Sequence, residues 1–131
     1  MATGRAGDVM QTFSTESAQF TDEFGIQIGR WAQYAQNSAL PFDAMWCVIP
    51  PGSQSEEDHH PEVELAIVVS GEATFRSQDS PDSELDAPLG TAVLLSSYER
   101  HVVHNRSEDA PLGLLSIYWM PDDPTRAAGE D

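Results

Sequence analysis

GSQSEEDHHPEVELAIVVSG, residues 52–71, runs from an acidic, histidine-bearing turn into an apolar stretch. Working outward on the N-terminal side, PFDAMWCVIPPG (41–52) is a second apolar run, closed by Pro50, Pro51 and Gly52. Before it, GIQIGRWAQY (25–34) alternates apolar and polar residues, the period of a half-buried strand. On the C-terminal side EATFRS (72–77) alternates again. QDSPDSELDAPLG (78–90) is polar and proline-bearing, as expected of a surface hairpin loop. TAVLLSS (91–97), RHVVHN (100–105) and LGLLSIYWM (112–120) follow. This makes about seven or eight short strands with turn residues roughly every 8 to 12 positions, the pattern of an all-β sandwich or barrel. No long stretch has helical period, and no internal repeat is visible.

The chain has 131 residues, the size of one domain with one core. Residues 1–15 are polar and small and read as a frayed tail. Residues 16–120 read as the single folded domain, and the acidic 121–131 as a disordered tail. Cys47 is the one cysteine, so neither an intramolecular disulfide nor a two-cysteine zinc or redox motif can form. The N-terminus lacks the apolar segment of a signal peptide, and no apolar run approaches the ~20 residues of a membrane helix. A cytoplasmic location in a bacterium is expected. Without a secretory signal, the sequon Asn105-Arg106-Ser107 carries no meaning.

Six basic residues face 22 acidic ones, a formal charge of −16, and all six are arginine. A field this negative repels phosphate backbones, which argues against nucleic-acid partners. Without lysine there is no Schiff-base nucleophile and no lysine phosphate clamp. A neutral or cationic small molecule would approach more readily than an anion.

The four histidines fall in two clusters: His59 and His60, with Asp58 and Glu64 close by, and His101 and His104. Imidazole and carboxylate form the donor set of Zn, Mn, Fe, Ni and Co. On a strand, residues two apart face the same side, so Asp58, His60 and Glu64 can converge while His59 points away unless the strand is bulged. His101, Val103 and Asn105 share one face, and Val102 and His104 the other. One histidine per cluster is therefore the better ligand. His104 reads as a surface or interface residue, and Cys47 as a small buried apolar group. Arg76 could clamp a substrate carboxylate but reads better as an exterior salt bridge. Trp46, Phe75, Tyr118 and Trp119 read as core or pocket wall.

The spacings resemble the cupin family. Its first motif, Gly, five residues, His-x-His, three residues, Glu, six residues, Gly, matches Gly52, Asp58-His59-His60, Glu64 and Gly71 without a gap. Its second, Gly, five residues, Pro-x-Gly, two residues, His, three residues, Asn, matches Gly90, Ser96-Ser97-Tyr98, His101 and Asn105. The resemblance implies a small jelly-roll barrel with one divalent metal ion (Fe, Zn, Mn or Ni) on His60, Glu64 and His101. Asp58 stands where the family has its first histidine, and Ser96-Ser97-Tyr98 replaces its Pro-x-Gly turn. A carboxylate at position 58 can still bind the ion and would harden the site; His59 or water could fill that place instead.

The resemblance further implies a small-molecule site inside the barrel and a homodimer formed through barrel faces or exchange of Phe13 to Trp31. The expected activity is that of a tailoring isomerase, cyclase or lyase of bacterial specialised metabolism, like the small polyketide cyclases. His59, Tyr98 and Glu62 are the proton-transfer candidates. The alternatives are an Fe(II)-dependent dioxygenase and a non-catalytic ligand-binding cupin.

Overall fold

The computed structural model describes residues 10–80 and 82–121. Residues 1–9 and 122–131 of the expected tails lie outside the described residues. Nine strands occur among the described ones: β1 (Thr21–Glu23), β2 (Ile26–Arg30), β3 (Asp43–Ile49), β4 (Val63–Ser70), β5 (Ala73–Ser77), β6 (Glu84–Ala87), β7 (Ala92–Leu95), β8 (His101–Asn105) and β9 (Leu112–Trp119). All pair antiparallel. One sheet has the order β1-β2-β3-β9-β4-β7 and the other β6-β5-β8. The all-β barrel expected from the pattern is the observed architecture.

Alternation decides which side chains fill the space between the sheets. On β3 these are Met45, Cys47 and Ile49; on β9, Leu112, Leu114 and Ser116; on β4, Glu64, Ala66 and Val68. Phe75 and Val103 close the core from the smaller sheet. Ile49 and Leu112 are fully buried and face each other across the β3–β9 ladder. The sheet is therefore packed at one end and lined by polar groups toward the other.

Asn105, the last residue of the second motif, is 0% exposed. Its amide nitrogen donates to the carbonyls of Ile49 (3.1 Å), Pro50 (3.2 Å) and Ala110 (2.8 Å), and its Oδ1 accepts from Ser107 N at 2.9 Å. One buried side chain thus ties the exits of β3 and β8 to the approach to β9. Gly71, between β4 and β5, has φ +85°, and a Cβ there would meet the Pro111 carbonyl at 3.1 Å. Both the backbone angle and the space require glycine.

Three expectations change. The strand expected over 25–34 ends at Arg30; Trp31–Gln33 and Ala35–Ala39 form 3-10 turns. Tyr34 N bonds to Trp31 O at 2.9 Å, so local bonds replace the ladder there. Alternating hydrophobicity does not distinguish these cases when the aromatics are needed elsewhere. Phe13 stacks on Trp31 with ring centroids 4.1 Å apart, and Tyr34 Oη donates to Ser14 O at 2.8 Å. Residues 13–14, inside the stretch expected to fray, are thereby attached to the domain. Finally, the expected surface loop 78–90 contains β6, whose Leu85 faces Phe75 across the ladder. Its exposed Glu84, Leu85 and Asp86 suit an edge strand, where charge discourages further pairing.

Candidate metal centre

The first histidine cluster meets the second through backbone pairing. Asp58 and His101 form an antiparallel bridge, and Gln54 pairs with His104. The chain from 54 to 58 thus runs beside β8, with Ser55 N bonded to Val103 O at 2.9 Å. Pro61 cannot donate to a ladder, and β4 begins only at Val63. Strand parity, the expected reason for the convergence of Asp58, His60 and Glu64, therefore does not link the three: Asp58 stands in a bridge to β8, His60 in a loop and Glu64 on β4. The His60 carbonyl accepts from Tyr98 N at 2.7 Å, and Ser97 Oγ donates to the next carbonyl, Pro61 O, at 2.5 Å.

Both key imidazoles are oriented in the same way. His60 Nδ1 lies 3.0 Å from Glu62 O, and His101 Nδ1 lies 3.0 Å from Glu99 O. A carbonyl can only accept, so both Nδ1 atoms carry the proton and both Nε2 atoms are turned to the cavity. His60 Nε2 is 3.1 Å from Glu64 Oε1, and His101 Nε2 is 3.9 Å from the same oxygen. Donor atoms of Asp58, His60 and His101 all lie within 4.8 Å of one another. Two donors on one ion at about 2.1 Å each are at most about 4.2 Å apart, so small rotations would close these groups on a single ion. The locked tautomers, the buried carboxylate and the donor spacing fit a divalent cation.

The electrostatics fit as well. The hydrogen bond to Glu64 raises the His60 pKa to about 9, with burial opposing and nearby Asp58 assisting. Burial works to raise the Glu64 carboxyl, but bonds from His60 and Ser116 and the charge of His101 outweigh it, leaving Glu64 below its usual range. Without an ion, the proton on His60 is the counter-charge for Glu64. Burial pushes the Cys47 thiol up to about 12, so it is a neutral wall group.

These groups stand at one end of a cavity of about 440 Å³. Ile26, Ile28, Met45, Ile49 and Leu114 form much of its apolar wall, and Arg30, Ser116 and Tyr118 also border it. His59 and Glu62 reach its edge; His59 is exposed and Glu62 half-buried. The expectation that His59 would point away fails because residues 59–62 are loop, so strand parity does not govern it. Tyr98 is not brought in. It is 61% exposed, outside the cavity lining, with φ +62°. It occupies the left-handed turn position of the glycine it replaces, and the turn aims its ring outward. His104 is also outside the lining, and Arg76 forms the exterior pair with Glu84, N···O 2.9 Å. Sequence reading missed Ser116, although it is the one polar residue among the inward positions Leu112, Leu114 and Ser116.

The cupin domain family matches residues 45–118, more than half of the chain. The chain is a cupin. Its fold resembles that of a cupin 2 conserved barrel domain protein from Salinispora arenicola, with a TM-score of 0.72 and 24% identity, covering 95% of this chain and 100% of that one. A protein from Photorhabdus luminescens gives 0.69 and 22%, covering 93% of each chain. A predicted oxalate decarboxylase from Thermotoga maritima gives 0.68 and 15%, covering 85% of this cupin and 100% of that chain. At these identities the likeness concerns the fold. No helix among the described residues is long and apolar enough to cross a membrane.

Proposed function

We propose that this cupin is a metal-dependent enzyme acting on a small molecule held in the barrel. The observation that carries the reading is the shared orientation of His60 and His101. Each spends Nδ1 on a backbone carbonyl two residues away and turns Nε2 toward Glu64. A bound divalent ion would supply Lewis acidity toward a substrate carbonyl or enolate oxygen. His60, Glu64 and His101 would hold it, with Asp58 as the fourth protein ligand. Glu62 and His59, which border the cavity, would carry a proton there. Such a site suits an isomerase, cyclase or lyase, the tailoring chemistry expected from the sequence.

A second reading has its own support. Asp58, His60 and His101 form a two-histidine, one-carboxylate set, the donor set of non-haem iron oxygenases. Elemental analysis of the purified full-length chain, wild type and His101→Ala, tests both. About one Zn, Mn or Ni per chain, lost in the variant, supports the Lewis-acid reading. About one Fe, with O2 consumed on turnover, supports the dioxygenase. No uptake even after reconstitution would leave a ligand-binding cupin.

A cytoplasmic homodimer belongs to the same proposal. The dimer is supported by the apolar outer side of the large sheet, where Leu94, Val69 and Trp119 are exposed. Light scattering of the purified chain reads the mass directly.

A further inference from the structure

The cavity divides into an apolar wall and an acidic rim. Glu56, Asp58, Glu62 and Glu64 all border it, and Arg30 is the one arginine that does so among the described residues. If the metal reading holds, an ion would offset the charges of Asp58 and Glu64, leaving Glu56 and Glu62 at the rim. Away from the ion, Arg30 is then the side chain that could serve an entering carboxylate as counter-charge.

Arg30 is already engaged. Its two terminal nitrogens bond both carboxylate oxygens of Glu23, at 2.5 and 2.8 Å. Thr21 Oγ1 donates to Glu23 Oε2 at 2.6 Å and fixes the acceptor in turn. The geometry is built into the β1–β2 hairpin, where Thr21 pairs with Ile28 and Glu23 with Ile26. Arg30 holds the Glu23 pKa down at about 2, so the partner stays charged at any working pH. At the Nη1/Nη2 end of the guanidinium a ligand carboxylate would have to displace an equivalent carboxylate that is already bidentate and tethered by the chain, so it gains little there. It would also lose its hydration against an apolar wall. An uncharged polar group faces neither obstacle.

We infer that the cavity selects an uncharged small molecule with an apolar body, and that Glu23 sets this selectivity by masking Arg30. This deepens the proposed function and rests on it for the identity of the polar end. Glu23 is a specificity-determining residue that acts through Arg30 and need not touch the ligand.

The test uses two probes of nearly the same shape, 2-naphthamide and 2-naphthoate. They are titrated calorimetrically into the full-length chain in chelator, so that coordination by an ion does not enter. Wild type should bind the amide at least about tenfold more tightly than the carboxylate. Glu23→Ala should raise naphthoate affinity about tenfold and leave the amide unchanged; Arg30→Gln in that background should remove the gain. Equal binding of the two probes by wild type, binding of neither, or a Glu23→Ala variant with unchanged preference would overturn the inference. Zinc titration of the same preparation, after dialysis to remove the chelator, reads the metal centre separately. Failure to take up zinc counts against the proposed enzyme, while the probe preference stands or falls by itself.

Discussion

Asp58 and His101 exchange both of their backbone hydrogen bonds, Asp58 N to His101 O at 3.1 Å and His101 N to Asp58 O at 3.0 Å. Directly opposed residues of an antiparallel pair send their side chains to the same face. The two sequence motifs are therefore joined at the residues that carry their donor atoms. Glu64 arrives from β4 in the opposite sheet, and His60 from the loop between. Donors from four backbone environments thus meet, Asp58, His60 and His101 within 4.8 Å of one another and Glu64 against the two histidines, so each should be separately replaceable without losing the barrel.

His101→Ala should abolish stoichiometric metal uptake while the far-UV circular dichroism stays that of the wild type. His60→Ala should weaken uptake by more than about 100-fold, beyond the range for losing a group that only supports a ligand. Asp58→Ala should weaken it less, because the His60 ring is held in place at both nitrogens, by the Glu62 carbonyl and by Glu64, whereas Asp58 is a half-buried group at the cavity edge. A metal titration showing the reverse order of His60 and Asp58 would place the stronger ligand at the first motif position.

Metal binding should strengthen with pH. The ion must displace the proton that His60 holds up to a pKa of about 9. Affinity should therefore fall about tenfold per pH unit below that value and level off above it. The metal-free chain should show the opposite trend in stability from this group. The folded pKa lies above the unfolded value of about 6.5, so the contribution of protonated His60 is complete below pH ~6.5 and is lost as pH rises through about 9. Melting temperatures in chelator from pH 6 to 10, compared with His60→Gln, read this directly. A pH-independent difference between the two proteins would contradict the His60–Glu64 pairing.

Asn105→Ala should cost about 2–4 kcal/mol in urea denaturation, since it leaves several buried carbonyls without a donor. Asn105→Asp should cost at least as much, because it places a carboxylate against those same carbonyls. A loss under ~1 kcal/mol would mean that water replaces the amide without penalty.

Tyr98→Gly should leave metal affinity unchanged and stabilise the chain by up to ~1 kcal/mol by relieving the positive φ. Tyr98→Phe should leave turnover unchanged, whereas Glu62→Gln should lower it by at least about tenfold if Glu62 carries the proton. Loss of turnover in Tyr98→Phe would require the turn to bring the ring inward during the reaction.

The strands around residues 43–49, 63–70, 92–95, 101–105 and 112–119 were legible as short apolar runs set between turn residues, and β5 (73–77) by its alternation, because a buried barrel wall needs apolar side chains and its corners need turns. The donor set was legible for a related reason: metal ligands need particular atoms, and the spacing along the chain survives in the sequence. β6 was not legible, because its residues 84–86 are exposed and leave no burial pattern. Nor were the turns at 31–39, where Trp31 and Tyr34 follow directly on the alternating residues 25–30 but pack against Phe13 and Trp46 instead of extending the strand.

The sequence by itself determined the fold class, the face of β8 that carries His101 and the identity of the residues able to bind an ion. It could do so because period, glycine placement and donor chemistry are properties of neighbouring residues. The tertiary structure decided which of those residues meet. It turned Tyr98 outward, brought His59 and Glu62 to the cavity edge, placed Ser116 beside Glu64 and closed Glu23 on Arg30. Those outcomes depend on loop paths and on contacts between distant strands, which no local pattern encodes.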